Sequence, residues 1–455
     1  MKKLSILYIP IILVAIASSC KQLVQIDLPK DELTTEKVFS DSTNANAAIV
    51  GIYVRMQGGL NLCSGSLSIY PALSADELYL ASATEENGQF FANALLPINN
   101  TVGGIWSTAY SFIYDQNACI EGITQSDNIR EDQKAELVAE ARVIRAFLYF
   151  NLVNLYGAVP LVLTTDYDHS RTLSRMPVEV VYDQIISDLL YAKSTLPLTV
   201  DQNFRANSDA ATALLARVYL YRGNYAAAIE QATEIIESGR YTLAPTPNEV
   251  FSAQSTETIW NLLPVNPARA TWEGFNFIPS SPTRIPTYVL SEALLDSFDE
   301  DDLRASQWVG HSTVNGQIYA YPYKYKMRTS AGQTNVERYV VLRLAEQYLI
   351  RSEAAAEMGD IQGSTADINV IRIRAGLLAT ADGYDREFIL NEIAKQRRLE
   401  LMCEWGHRWY DLKRTGVADA VLSNVKPNWR PSAELFPIPQ TQINRNPFLS
   451  QNTGY

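Results

Sequence analysis

Two stretches of the chain carry the same spacing of small and aromatic residues, and this repetition limits the fold more than any other feature. From Ala210 to Gly239, the residues Leu215, Ala216, Tyr219, Gly223, Tyr225, Ala228 and Ala232 mark two helices joined by a tight turn. From Arg338 to Gly376 the pattern returns. Val341, Leu344, Ala345, Tyr348, Ser352 and Ala355 are expected on one helical face, Gly359 and Asp360 in the turn, and residues 361–374 in the returning helix. Small residues let two helices approach closely. One such pair cannot bury its own apolar face, so two copies imply stacked helical repeats of the tetratricopeptide kind.

Helical periodicity extends beyond the repeats. Leu137, Ala141, Ile144, Leu148, Leu152 and Leu155 recur at steps of three or four, which predicts a long helix over 131–156 ended by Gly157 and Pro160. A second helix is predicted over 178–194, with Val181, Ile185, Leu189 and Leu190 inward. Two stretches break this pattern. Residues 241–335 are punctuated by prolines and rich in aromatics, and so cannot form one continuous helix. Residues 57–101 mix glycine, serine and asparagine with Tyr70, Tyr79, Phe90 and Phe91 and read as irregular. Long aromatic loops on a helical scaffold are usually functional. The expected fold class is mainly α, a helical-repeat scaffold with long irregular insertions.

The N-terminus carries an address. Lys2 and Lys3 precede the apolar run from Leu4 to Ile16, then come Ala17, Ser18, Ser19 and Cys20. The run is shorter than the roughly 20 residues that a membrane-spanning helix needs, which fits a cleaved leader. Residues 1–19 are therefore expected to be removed. Cys20 would become a lipidated N-terminus that anchors the rest in membrane lipid, since each buried methylene contributes about 0.8 kcal/mol. The mature chain, 20–455, is expected to be a single body. It divides into an N-terminal segment 20–240, the insertion 241–335 and a C-terminal segment 336–455.

Several chemistries find no support. The net charge is −12 over 455 residues, with no basic block after the leader, which argues against nucleic acid. Cys63, Cys119 and Cys403 are scattered and read as buried small hydrophobes rather than a disulfide framework. His169, His311 and His407 lie far apart, so no metal or cofactor is expected. No nucleophile elbow or phosphate-binding glycine loop is present. Asp76-Glu77 and the acidic run 296–302 are the only tempting carboxylates, and the run reads as a helix-to-loop exit. The chain is expected not to be an enzyme.

Three segments together resemble one family. The first runs from Ala141 through Arg142, Arg145, Ala146 and Tyr149 to Tyr156-Gly157 and Pro160. The second is the Tyr339 to Leu349 helix with Glu353-Ala354. The third is Gln396-Arg397-Arg398-Leu399-Glu400-Leu401 with Glu404, Gly406, Arg408, Trp409, Asp411 and Arg414, closed by Phe436-Pro437-Ile438-Pro439 and Asn452-Thr453-Gly454-Tyr455. These are similar to the SusD/RagB outer-membrane nutrient-binding lipoproteins. The resemblance implies capture of a poly- or oligosaccharide and its delivery to a SusC-like TonB-dependent transporter. A peptide-capturing member of the same family, or a periplasmic repeat scaffold without a small ligand, is the alternative.

The charged motif residues have a structural reading of their own. Arg397, Glu400, Glu404, Arg408 and Asp411 stand three or four apart, which would set opposite charges side by side on a helix. Together with Arg142 and Arg145 they are expected to lock the C-terminal helices to the repeats. Ligand contact is assigned instead to the aromatic loops: Asp76, Tyr79, Phe90, Phe91, Trp272, Phe275, Trp308, Tyr319 and Tyr321. A flat ring can cover the apolar face of a sugar, worth on the order of 1 kcal/mol per stack.

Overall fold

The computed structural model describes residues 35–198, 203–266, 268–330 and 336–455. The leader and Cys20 lie outside them. A helix Ser42–Met56 precedes and packs on the first two of eight helices that form the scaffold: α1 (Asn100–Gln125), α2 (Glu131–Tyr156), α3 (Val178–Thr195), α4 (Ser208–Tyr221), α5 (Tyr225–Ile236), α6 (Leu344–Glu357), α7 (Ile361–Arg374) and α8 (Arg386–Glu400). Each of α1 to α7 packs on the next in chain order, and α8 packs on both α6 and α7. Among the described residues, no helix is long and apolar enough to cross a membrane.

Local chemistry explains where these helices begin and end. The Asn99 side chain accepts hydrogen bonds from Thr101 N and Val102 N at the start of α1, and Asn207, Asn224, Asp360 and Asp385 cap α4, α5, α7 and α8 in the same way. The α2 helix spans the predicted residues and stops at Gly157, whose φ of 73° suits glycine; a side chain there would also strike Leu435. The two repeat pairs meet through small residues, as Ala216, Ala228, Ala232 and Ala354 interlock with Leu220 and Ile350.

The second repeat departs from its expected form. Tyr339–Arg343 is a strand rather than the opening turn of a helix, and it pairs antiparallel with Thr258–Leu262. Every residue of both strands is buried, so the run Val340-Val341-Leu342 shows no polar face from which a period could be read. The 57–101 stretch is also more regular than expected, with helices Ser66–Ser74 and Glu85–Phe91 and a strand Leu78–Leu80 that pairs with Tyr288–Leu290. In the 241–335 insertion, Val309–Val314 and Gln317–Pro322 form a hairpin turning at Asn315-Gly316, both at positive φ. A continuous cluster of buried apolar side chains runs from Phe39 to Ile438 beneath these elements.

Candidate ligand-binding surface

The charges of the C-terminal motif face inward, though not in the pairs that their spacing suggested. Helix α8 ends at Glu400, and Cys403, Trp405 and Gly406 all take positive φ, so Glu404 and Arg408 do not share a helix. Arg397 instead donates to Asp411 at 2.9 Å, and Arg414 to Glu353 at 2.7 Å. Arg343 Nη1 reaches Glu400 at 2.6 Å and Glu257 at 3.2 Å, while its Nε reaches Glu404 at 3.1 Å. Arg374 joins Glu257 and Glu400. Burial would raise the Glu400 carboxyl, but Arg374, Arg343, Arg304 and Lys324 outweigh it and hold the group far below the ordinary carboxylate range. Arg145 grips Asp188 through two bonds of 2.8 Å and Asn117 through a third, and Arg142 lies 4.2 Å over the Tyr191 ring.

Four of the nine candidate ligand residues belong to this interior. Asp76 is 6% exposed and clamped by Arg408 at 2.7 Å and Arg398 at 2.8 Å. Burial alone would raise its carboxyl, and the two guanidiniums hold it below its usual value. Next to it, burial and then the Asp76 charge push Glu77 up to about 8. Trp308 is wholly buried, with its indole N–H on Pro247 O at 2.8 Å and Lys324 Nζ 4.4 Å from its ring. Phe90 is wedged against Tyr70 and Phe436, and Tyr321 is covered by Tyr323 and the facing strand. None of these offers a face to a ligand. Phe91 is partly buried beneath Lys426, 4.2 Å away.

The remaining four reach the surface in two patches. In the first, the short helix Trp272–Phe277 is capped by Thr271, whose hydroxyl accepts from Gly274 N at 3.0 Å. Trp272 and Phe275 are half-buried and meet edge to face at 5.8 Å. The Arg269 guanidinium sits 4.3 Å from the Trp272 ring and 3.9 Å from the Phe275 ring, and Arg328 lies 4.3 Å over Phe275. The Trp272 indole N–H points to Gln57 O at 3.4 Å, so this patch joins the two insertions. In the second, antiparallel pairing and strand packing bring Tyr79 beside Tyr319, both part-exposed. Phe277 meets Tyr288 at 6.0 Å and links the two patches. Arg269 and Arg328 escaped the sequence reading because nothing local marks an arginine as lying against a ring.

Such a platform offers groups that can bind. Aromatic rings supply apolar faces, and the guanidiniums held among them supply donors for hydroxyl or carbonyl oxygens.

Comparison with known proteins places this architecture. A family model described as starch-binding and associating with the outer membrane, of SusD-like type, matches residues 64–220, and the SusD family model matches residues 303–455. A SusD-like protein of Formosa agariphila, P2, is 26% identical over the full length of both chains. A SusD superfamily structure from Bacteroides vulgatus superposes with a TM-score of 0.82 at 21% identity, covering 92% of this chain and all of that one. A laminarin-binding SusD-like protein superposes with a TM-score of 0.74 at 24% identity, over 92% of this chain and all of its own. Arg269, Trp272 and Phe275 lie between the two matched segments.

Proposed function

The chain belongs to the SusD/RagB family, whose members are binding proteins, and from that premise we propose that it captures a glycan and passes it to a SusC-like TonB-dependent transporter. The observation that carries this reading is the Trp272–Arg269–Phe275 platform, where two partly exposed rings hold a guanidinium among them. Rings for sugar faces and donors for hydroxyls are what a saccharide site needs. The net charge of −12 favours a neutral cargo over an anionic one. The laminarin-binding neighbour and the starch-binding family description support the same ligand class.

Cys20 would carry the lipid that holds the protein to the outer membrane, facing outward, with the transporter as its partner and no catalytic step of its own. A few stacked rings give about −4 to −6 kcal/mol, roughly millimolar to tens of micromolar. Weak capture suits onward transfer. The test is affinity electrophoresis of the detergent-solubilised protein in gels containing starch or laminarin, beside a Trp272→Ala variant and a labelled peptide panel. Retardation by a polysaccharide that Trp272→Ala weakens supports the reading. Free migration in both gels with retention of a peptide rejects it in favour of peptide cargo.

A further inference from the structure

A second aromatic groove lies on a different part of the fold, between the N-terminal half of α1, the segment 160–171 and the short helix Gln440–Arg445. Its volume is about 710 Å³, within the range of small-ligand clefts. Trp106, Tyr110 and Tyr114 follow one another at four-residue steps on α1, which places them on one face about 6 Å apart along the axis. Trp106 forms the floor, buried against Tyr156 edge to face at 5.0 Å and tilted on Tyr110 at 5.0 Å. The Tyr110 hydroxyl donates to Pro160 O at 2.8 Å, which fixes its ring.

The rim is unusual for a protein surface. Tyr114 is 55% exposed and Tyr167 is 75% exposed, two large rings in water at one cleft. The Tyr167 loop is held firmly. Thr165 N donates to Glu121 at 3.0 Å, and Asp166 caps the turn by accepting from Asp168 N at 2.9 Å. Across the groove, Asn446 ties the opposite wall to Leu173 O at 2.8 Å. Gln442 and Arg445 line that wall with side chains that have no hydrogen-bond partner among the described residues.

We infer that this groove is a second saccharide-binding site, which holds a short stretch of oligosaccharide between Tyr114 and Tyr167 with Gln442 and Arg445 bonding its hydroxyls. The lining decides among ligand classes. A lipid chain would want continuous apolar walls, and these are interrupted by Ser107 and Thr164. An extended peptide adding to a sheet would want a free strand edge; α1 and the Gln440–Arg445 helix spend their backbone groups internally, and in the third wall Pro160 O, Val162 N and O, and Thr165 N are already bonded by Tyr110, Tyr149, Asn117 and Glu121. Rings alternating with hydroxyl, amide and guanidinium groups match a carbohydrate. The inference shares the ligand class of the proposed function but stands on separate residues.

The same gels, containing starch or laminarin, test it with the detergent-solubilised full chain. The variants are Tyr114→Ala/Tyr167→Ala on one wall and Gln442→Ala/Arg445→Ala on the other, each alone and combined with Trp272→Ala. All four groove side chains are solvent-facing or unpartnered, so thermal unfolding should match the parent. Each groove pair is expected to weaken retardation about tenfold, and further in the Trp272→Ala background. Parent-like retardation of both groove pairs, with loss in Trp272→Ala, overturns the groove and leaves the platform. Retardation lost in the groove pairs but kept in Trp272→Ala upholds the groove and removes the platform. Free migration of the parent in both gels overturns both. A fluorescein-labelled extended peptide that the parent holds and the Tyr114→Ala/Tyr167→Ala variant releases overturns the saccharide assignment.

Discussion

Arg343 Nη1 donates to Glu400 Oε1 at 2.6 Å across 57 residues of chain, with both side chains removed from solvent. The bond ties the strand that opens the second repeat to the end of α8. Glu257, Glu404, Arg374, Arg304 and Lys324 complete the cluster, so each buried charge has an opposite within reach. A network of this kind adds little net stability over an apolar core, but removing one member strands the others.

Arg343→Met therefore takes one cation partner from each of Glu257, Glu400 and Glu404, and at neutral pH it should cost about 3–5 kcal/mol in urea unfolding. The sign with pH follows from Glu400. Its carboxyl is held below its unfolded value, so its stabilisation is present above about pH 4.3 and lost as pH falls toward the folded value. The deficit of the variant should therefore shrink below pH 4. Equal stability of parent and variant at pH 7 would rule out the cluster as a lock.

Trp308 and Trp272 lie 36 positions apart in one aromatic-rich insertion and should behave oppositely. Trp308→Ala empties a site wholly closed to solvent and should cost about 3–5 kcal/mol in equilibrium unfolding. Trp272→Ala removes a half-exposed ring and should cost about 1–2 kcal/mol, with its main effect on polysaccharide retention. The reverse ranking of stabilities would contradict the burial assigned to these two rings.

Glu77 supplies an alkaline signature. Burial and the neighbouring Asp76 raise its folded-state value from 4.5 to about 8. Its contribution to stability is thus fully present below the unfolded value and lost as pH rises through about 8. Glu77→Gln keeps an acceptor for Cys403 N, whose N–H now lies 3.3 Å from either carboxylate oxygen, but cannot ionise. The variant should gain on the order of 4 kcal/mol over the parent between pH 5 and pH 9 in calorimetric unfolding. A pH-independent difference would show that Glu77 titrates normally.

Much of the scaffold was legible before any coordinates. The α2 helix spans its predicted residues because its apolar spacing, Gly157 and Pro160 agree; α4 ends and α5 begins around Gly223, and α6 ends and α7 begins around Gly359-Asp360, as the turn residues indicate. The strand at Tyr339–Arg343 was missed because a short run buried on both faces has no period to read. The Asn315-Gly316 turn carries a local hairpin signal, an Asn-Gly pair between two short strands. Local spacing misassigned Glu404 and Arg408 because the chain turns through positive φ between them.

The sequence by itself determined the family, the helical-repeat class and the points where helices start and stop, since these depend on neighbours within a few residues. Tertiary structure alone decided which aromatics reach the surface and which charges meet. Trp308 and Phe90 are buried while Trp272 and Phe275 are not, and Arg343 pairs with Glu400 rather than with any helical neighbour. Exposure and ion pairing depend on which distant elements pack together, and a ring or a charge carries no local mark of the side chain that will cover it.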